Sequence, residues 1–216
     1  MNQKKITILV DDPSSWIQPY ALELTDKIDG YNCTLVHQLD EIAEGDILLL
    51  LGCTAIVPPD ILKRNKLNLV IHESDVPRGK GWSPLSWQVL EGSRKIPITL
   101  LEAVEKVDSG KVFAQDIIEL DGSELYGELK AKQGHATQNI FLNFLKEWPS
   151  VQAQEQTGEA SYYRKRTRLD DELDTSKSLE ELFDHIRICD PDNFPAWFSL
   201  RGQSYTLKIE KTEDKQ

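Results

Sequence analysis

Short apolar runs alternate with amphipathic and polar stretches through the first two thirds of the chain. Residues 6–10, apolar but for Thr7, are closed by Asp11-Asp12-Pro13-Ser14-Ser15, the pattern of a strand buried on both faces. Trp16, Ile17, Tyr20, Leu24 and Ile28 then recur at helical spacing, with Ser14 or Ser15 as the cap and Asp29-Gly30 as the stop. Residues 31–36 and 46–51 read as the next strands, the second being the most apolar run in the chain and so a central one. Gly52-Cys53-Thr54 turns the chain out of the sheet, a short helix follows around 60–63, and residues 67–71 form another strand that ends on His72.

A loop rich in Gly and Pro leads to a helix over 84–91, stopped by Gly92. Residues 96–104 and 111–120 are strand-like and flank the turn Val107-Asp108-Ser109-Gly110. A long helix spans 123–148, with Leu125, Leu129, Ala136, Ile140, Leu142 and Leu145 favouring one side. Residues 150–159 are a polar linker. After it come the basic patch Tyr162–Arg168, an acidic run, a helix over 178–188 opening on a capping box (Ser178, Glu181), a hairpin around 201–203 and a tail, 211–216, expected to fray. The alternation predicts an α/β protein with a mostly parallel central sheet flanked by helices. Residues 1–149 would form the main domain and 150–216 a small α+β segment.

With a net charge of −11, the chain is a poor match for a polyanion, so nucleic acid is not the expected partner. Residues 1–5 are polar, and no window approaches the length of a membrane span. Cys33, Cys53 and Cys189 are odd in number and far apart, which reads as reduced thiols in the cytoplasm, with neither a disulfide framework nor a metal site. Apolar side chains of the C-terminal hairpin are the candidate contact for a homodimer.

His72 is the first candidate for chemistry. It follows a buried strand and precedes a polar loop, at the edge where open α/β sheets form their sites. An imidazole there can accept or donate a proton near neutrality. Asp108, 36 positions on and held in a turn, could orient and charge that ring. Gly79 and Gly81 give only a weak phosphate-loop signal, since neither dinucleotide nor Walker fingerprint is present. Arg78 and Lys80 either contact an anion or sit on a solvated loop. Arg164, Lys165 and Arg166 either bind a phosphate or pair with the acidic run that follows.

The ordered set His72, Ser74, Pro77, Gly81, Pro84, Trp87, Gly92, Thr99, Asp108, Gly110 and Gln115 resembles the core motif of the folate-dependent formyltransferases. These include the glycinamide ribonucleotide, methionyl-tRNA and sugar-nucleotide enzymes. Arg164, Arg166, Asp170, Arg187, Pro195, Ala196 and Phe198 resemble the segment after the catalytic domain in the sugar-nucleotide members. The likeness covers roughly residues 46–210; the first 45 residues match only as a generic α/β start.

The resemblance implies a Rossmann-like formyltransferase fold with a C-terminal helix-hairpin segment. It also implies transfer of a formyl group from 10-formyltetrahydrofolate, without a metal, to the amine of a nucleotide-linked amino sugar. His72 would take the amine proton or stabilise the oxyanion. Asp108 would set the charge of His72 and, through a water, help return a proton to the departing nitrogen. Cys53, Ile56, Val57, Pro58, Glu102 and Val107 would line the folate site; Ser74, Arg78, Lys80, Trp82, Arg166 and Arg187 would face the acceptor. A tRNA formyltransferase, a formyl-folate hydrolase and an inactive ligand-binding homologue are the alternatives.

One position departs from the pattern. Val70 stands where the family has an Asn that donates to the developing oxyanion, a donor whose loss typically costs about 2.7–4 kcal/mol. Asn68 shares that strand face but lies about 6–7 Å further back.

Overall fold

Four parallel strands form one side of the sheet in the computed structural model, which describes residues 3–212. They are β1 (Lys4–Leu9), β2 (Tyr31–Val36), β3 (Gly45–Leu50) and β4 (Asn65–His72). Helix α1 (Gln18–Lys27) connects β1 to β2, and the one-turn α2 (Pro59–Leu62) precedes β4. After the two-residue β5 (Lys80–Gly81) and helix α3 (Pro84–Leu90), β6 (Lys95–Glu102) returns antiparallel to β4, and β7 (Val112–Glu119) pairs antiparallel with β6. The order β2-β1-β3-β4-β6-β7 makes β4 the strand where the parallel half meets the antiparallel half.

Side chains alternate across this sheet as the two-residue period of a strand requires. Ile8, Ile47, Leu49, Leu69 and Ile71 face one side, packed with α1 and with helix α4 (Tyr126–Glu147). Leu9, Leu48, Leu50 and Val70 face the other, against Val57 and Ile61. His72 falls two residues beyond Val70 and so leaves the strand on that second side.

Helix α1 starts later than its apolar spacing predicts. Trp16 and Ile17 precede it, no side chain caps it, and Ser14 instead donates from its backbone and hydroxyl to Asp12. Pro19 in the first turn explains the shift, because proline is tolerated where the N–H has no helical partner. Helix α5 (Leu179–Arg187) opens on the expected box: Ser178 Oγ accepts from the Glu181 amide at 3.3 Å and Glu181 Oε2 from the Ser178 amide at 2.9 Å.

Beyond α4 the chain adds β8 (Tyr162–Tyr163), parallel to β5, then α5 and the hairpin β9 (Ala196–Leu200) and β10 (Gln203–Leu207). Leu173, Leu182, Ile186, Ile188 and Ala196 from this segment are buried in the same cluster as the sheet. Of the tail, Lys211 pairs with Glu128 at 2.6 Å, while residues 213–216 lie outside the described residues. Among the described residues no helix is long and apolar enough to cross a membrane.

Candidate active site

His72 is the last residue of β4, opposite Thr99 of β6. Its Nε2 lies 2.9 Å from the Gly79 carbonyl oxygen and 3.8 Å from Asp108 Oδ2. A carbonyl oxygen can only accept, so the hydrogen is assigned to Nε2, and in the neutral ring Nδ1 is left to take a proton. Two oxygens thus face Nε2, an arrangement that can stabilise positive charge on the ring.

Asp108 reaches His72 from the loop between β6 and β7. Its φ of 51° lies in the left-handed region, which Asp tolerates better than most residues. Its Oδ2 accepts the Gly81 amide at 2.9 Å. The run Gly79-Lys80-Gly81 therefore grips both groups, the carbonyl of Gly79 on His72 and the amide of Gly81 on Asp108. Glycine is required here by space: a Cβ on Gly81, at φ 97°, would fall 2.4 Å from the Tyr163 carbonyl oxygen.

Gly110, two residues past Asp108, is tighter still, with an added Cβ only 2.0 Å from the Glu102 carbonyl oxygen. Gly110→Ala must push β6 and the Asp108 turn apart, an overpacking cost of about 1–3 kcal/mol. Thermal unfolding should show the loss; an unchanged midpoint would mean the turn has slack.

The loop between His72 and Gly79 is fixed by residues that sequence reading named only as motif positions. Thr99, fully buried, donates to the Ser74 carbonyl at 2.7 Å. Gln115 donates to Thr99 Oγ1 at 3.1 Å and to Asp75 Oδ1 at 3.2 Å. Gln156, from the stretch read as a polar linker, and Ser161, just beyond it, reach the same centre and are not among the residues the sequence singles out. A polar residue in a polar stretch has no periodicity to reveal it.

The residues expected to face folate border two neighbouring loops. Cys53, Val57, Val70 and Ala103 pack in one cluster, which brings the chain after β3 beside the chain after β6. Around it Ile56, Val104 and Val107 expose apolar side chains, Pro58 caps α2, and Glu102 is half-buried. The Cys53 thiol turns inward to the Leu9 carbonyl, and burial, then the charge of Asp11, pushes it up to about 12. It is therefore a neutral wall and not a nucleophile at neutral pH. An exposed apolar rim over backbone suits a flat heterocycle.

The residues expected to face the acceptor divide. Lys80, only 5 % exposed, donates to Ser109 Oγ at 3.2 Å. Burial and the nearby Lys106 push its ammonium below the usual lysine range, against the pull of Asp108. Ser74 is buried, with its Oγ unpartnered. Trp82, the residue after Gly81, is 39 % exposed, and the Lys165 ammonium sits 4.6 Å from its ring centroid. Arg78 is exposed and paired with Asp75.

The acidic run claims two of the three arginines of the basic patch: Arg164 pairs with Asp170 and Arg166 with Asp171, while Arg168 lies over the Trp197 ring. Arg164 holds the Asp170 carboxyl well below the usual carboxylate range, against burial and with help from Thr167. Arg187, expected to face an acceptor, is 1 % exposed and held by Asp184 and Glu124, so its charge is spent inside the fold.

Val70 is half-buried in the second cluster, and Asn68 turns its amide to the Leu62 carbonyl at 2.9 Å. Asn68 therefore does not replace the missing donor.

Comparison with known proteins places this geometry. A family model described as Formyl transferase matches residues 4–145, more than half of the chain, so the likeness extends over residues 4–45 as well. Methionyl-tRNA formyltransferase of Bacillus thuringiensis is 29% identical over 167 residues, 74% of this chain but 52% of the relative, so the chain spans about half the length of that relative. Methionyl-tRNA formyltransferase from Clostridium thermocellum superposes with a TM-score of 0.82 at 21% identity, covering 99% of this chain and 95% of that one. A sugar N-formyltransferase from Shewanella sp. gives 0.71 at 14% identity, covering 99% and 100%. With the family match running from β1 through almost all of α4 and carrying His72, Asp108 and the glycine turns between them, the chain belongs to the formyl transferase family.

Proposed function

We propose that this protein moves the formyl group of 10-formyltetrahydrofolate to the amine of a nucleotide-linked amino sugar, in the cytoplasm. The juxtaposition of His72 and Asp108 at the end of β4, with the Trp82–Lys165 pair one residue beyond the Asp108 contact, carries the reading. An exposed indole offers a face to a nucleobase, and an ammonium beside it offers charge to a phosphate. The net charge of −11 weighs against a tRNA as acceptor.

Bound folate supplies the formyl carbon; Cys53, Ile56, Val57 and Pro58 on one loop and Glu102 and Val107 on the other would hold it. As the amine nitrogen bonds to that carbon, His72 takes the amine proton at Nδ1; as the bond from the carbon to the folate nitrogen breaks, that proton is returned to the departing nitrogen, with Asp108 helping through a water. The Asp108 carboxylate and the Gly79 carbonyl offset the resulting ring charge from the Nε2 side. Lys80, buried beside Ser109, adds positive charge near the turn, where negative charge develops on the formyl oxygen. No covalent bond to the protein is needed, because positioning and fixed charges lower the barrier.

The test is incubation with 10-formyltetrahydrofolate and a panel of nucleotide-linked 3-amino and 4-amino sugars, read by mass spectrometry. Initiator methionyl-tRNA and buffer alone serve as parallel arms. A formylated sugar is expected. Product only with the tRNA, or formate release with no amine present, would replace this reading with the tRNA formyltransferase or the hydrolase, and no turnover in any arm with the inactive homologue.

A further inference from the structure

We infer that residues 154–161, beyond the part of the chain matched by the family model, form a strap that positions both groups facing His72. Gln156 and Ser161 are its positioning residues. The inference rests on the proposed role of His72 and Asp108.

At one end of the strap, Gln154 exchanges two backbone hydrogen bonds with Val112, each 2.8 Å, at the first residue of β7. Two residues on, the Gln156 amide donates through Nε2 to the carbonyls of Asp108 at 3.0 Å and Gly110 at 2.8 Å. Both hydrogens of one NH2 are thus spent on the two ends of the Asp108 turn. The amide has only one workable orientation, since turning it over would set its oxygen against two carbonyl oxygens. The Oε1 atom is buried with no partner, so these two bonds alone orient the group.

At the other end, Ser161 makes three bonds to the loop after His72. Its Oγ accepts the Gly79 amide at 2.9 Å, its carbonyl accepts the Lys80 amide at 3.0 Å, and its amide donates to the Pro77 carbonyl at 3.2 Å. The peptide unit whose oxygen faces His72 is thereby fixed from behind. One short segment grips Asp108 by its backbone and Gly79 by its amide. The 3.8 Å approach of His72 to Asp108 thus depends on residues outside the strands that carry them.

Asp108 needs such a clamp. Its backbone sits in the left-handed region, a narrow well, and a displacement of about 1 Å at a reacting centre can cost about 10²-fold in rate. Gln156→Ala should therefore lower kcat by about 10²-fold with little change in KM for either substrate. It should also speed hydrogen exchange of the Gly81 amide, the one bonded to Asp108 Oδ2, by about tenfold while β1 amides stay protected. Gln156→Glu, which sets a carboxylate against two carbonyls, should be worse than Gln156→Ala. On an Asp108→Asn background, Gln156→Ala should add little further loss in kcat, because the two act through one group.

Wild-type kcat in Gln156→Ala, unchanged Gly81 exchange, or losses that multiply with Asp108→Asn would overturn the strap. If Asp108→Asn alone keeps full turnover, the reading of the site has failed instead, and Gly81 exchange still decides whether the clamp exists. Should Gln156→Ala not fold, Ser161→Ala carries the same test through the Gly79 amide, with unchanged exchange there counting against the strap.

Discussion

His72→Asn and Asp108→Asn are each expected to cut formyl transfer by about 10²–10⁴-fold while leaving the fold intact, the range for loss of a positioned proton-transfer group. The two changes remove different things. His72→Asn removes the imidazole at the end of β4, and with it the Nδ1 that would accept the amine proton. Asp108→Asn keeps an oxygen for the Gly81 amide and a residue type that accepts the left-handed backbone, yet removes the negative charge 3.8 Å from His72 Nε2. Steady-state kinetics beside circular dichroism would check both. Full activity in either variant, with the fold unchanged, would put the chemistry elsewhere.

Arg187→Met should destabilise the protein by about 3–5 kcal/mol, the usual cost of breaking one partner of a buried ion pair. For a chain of this size that is roughly a 6–20 °C fall in melting temperature. The Arg187 guanidinium donates to Asp184 at 2.6 Å and to the Glu124 carbonyl at 3.1 Å, with Glu124 Oε2 at 3.5 Å. Asp184 also meets Arg94, and Glu124 meets Lys132, so the network ties α5 to the turns before β6 and before α4.

Burial alone would raise the Glu124 carboxyl, but Lys132 and the amides of Asp121 and Gly122 outweigh it and hold it below its ordinary value. A carboxyl lowered on folding contributes stability that is complete above the unfolded value and is lost as pH falls through the lowered one. Lys132 and the two amides remain in Arg187→Met, so this loss of stability in acid is expected in the variant as in the wild type. An unaltered melting temperature with a raised KM for the acceptor would return Arg187 to the substrate.

The sequence and the fold divide the work unevenly across the site. The strands before His72 are legible because parallel strands buried on both faces read as near-continuous apolar runs, and residues 47–51 and 69–71 are such runs. The box at Ser178 was legible because a helix start is a local matter, settled within four residues. Helix α1 was placed too early because apolar spacing says which face is buried but not where the first turn closes, which Pro19 decides.

The arginines show the opposite limit. Arg164, Arg166 and Arg187 look alike along the chain, as charge available to a phosphate. For Arg164 and Arg166 the acidic run is one of two readings the sequence leaves open, and the fold takes it at Asp170 and Asp171; Glu124, the distant partner of Arg187, is known only once the chain has closed on itself.

The amino-acid sequence by itself determined the α/β layering, the strand that ends on His72 and the turn that presents Asp108. Each follows from apolar period, turn residues and spacing within a few tens of positions. Tertiary structure alone decided which charges are spent internally, that Val70 and Asn68 turn to packing and to Leu62, and that a polar stretch near residue 156 holds the Asp108 turn. The physical reason is that a hydrogen bond has no sequence period. Its partner is fixed by where the backbone brings two groups within about 3 Å, and that depends on every element in between.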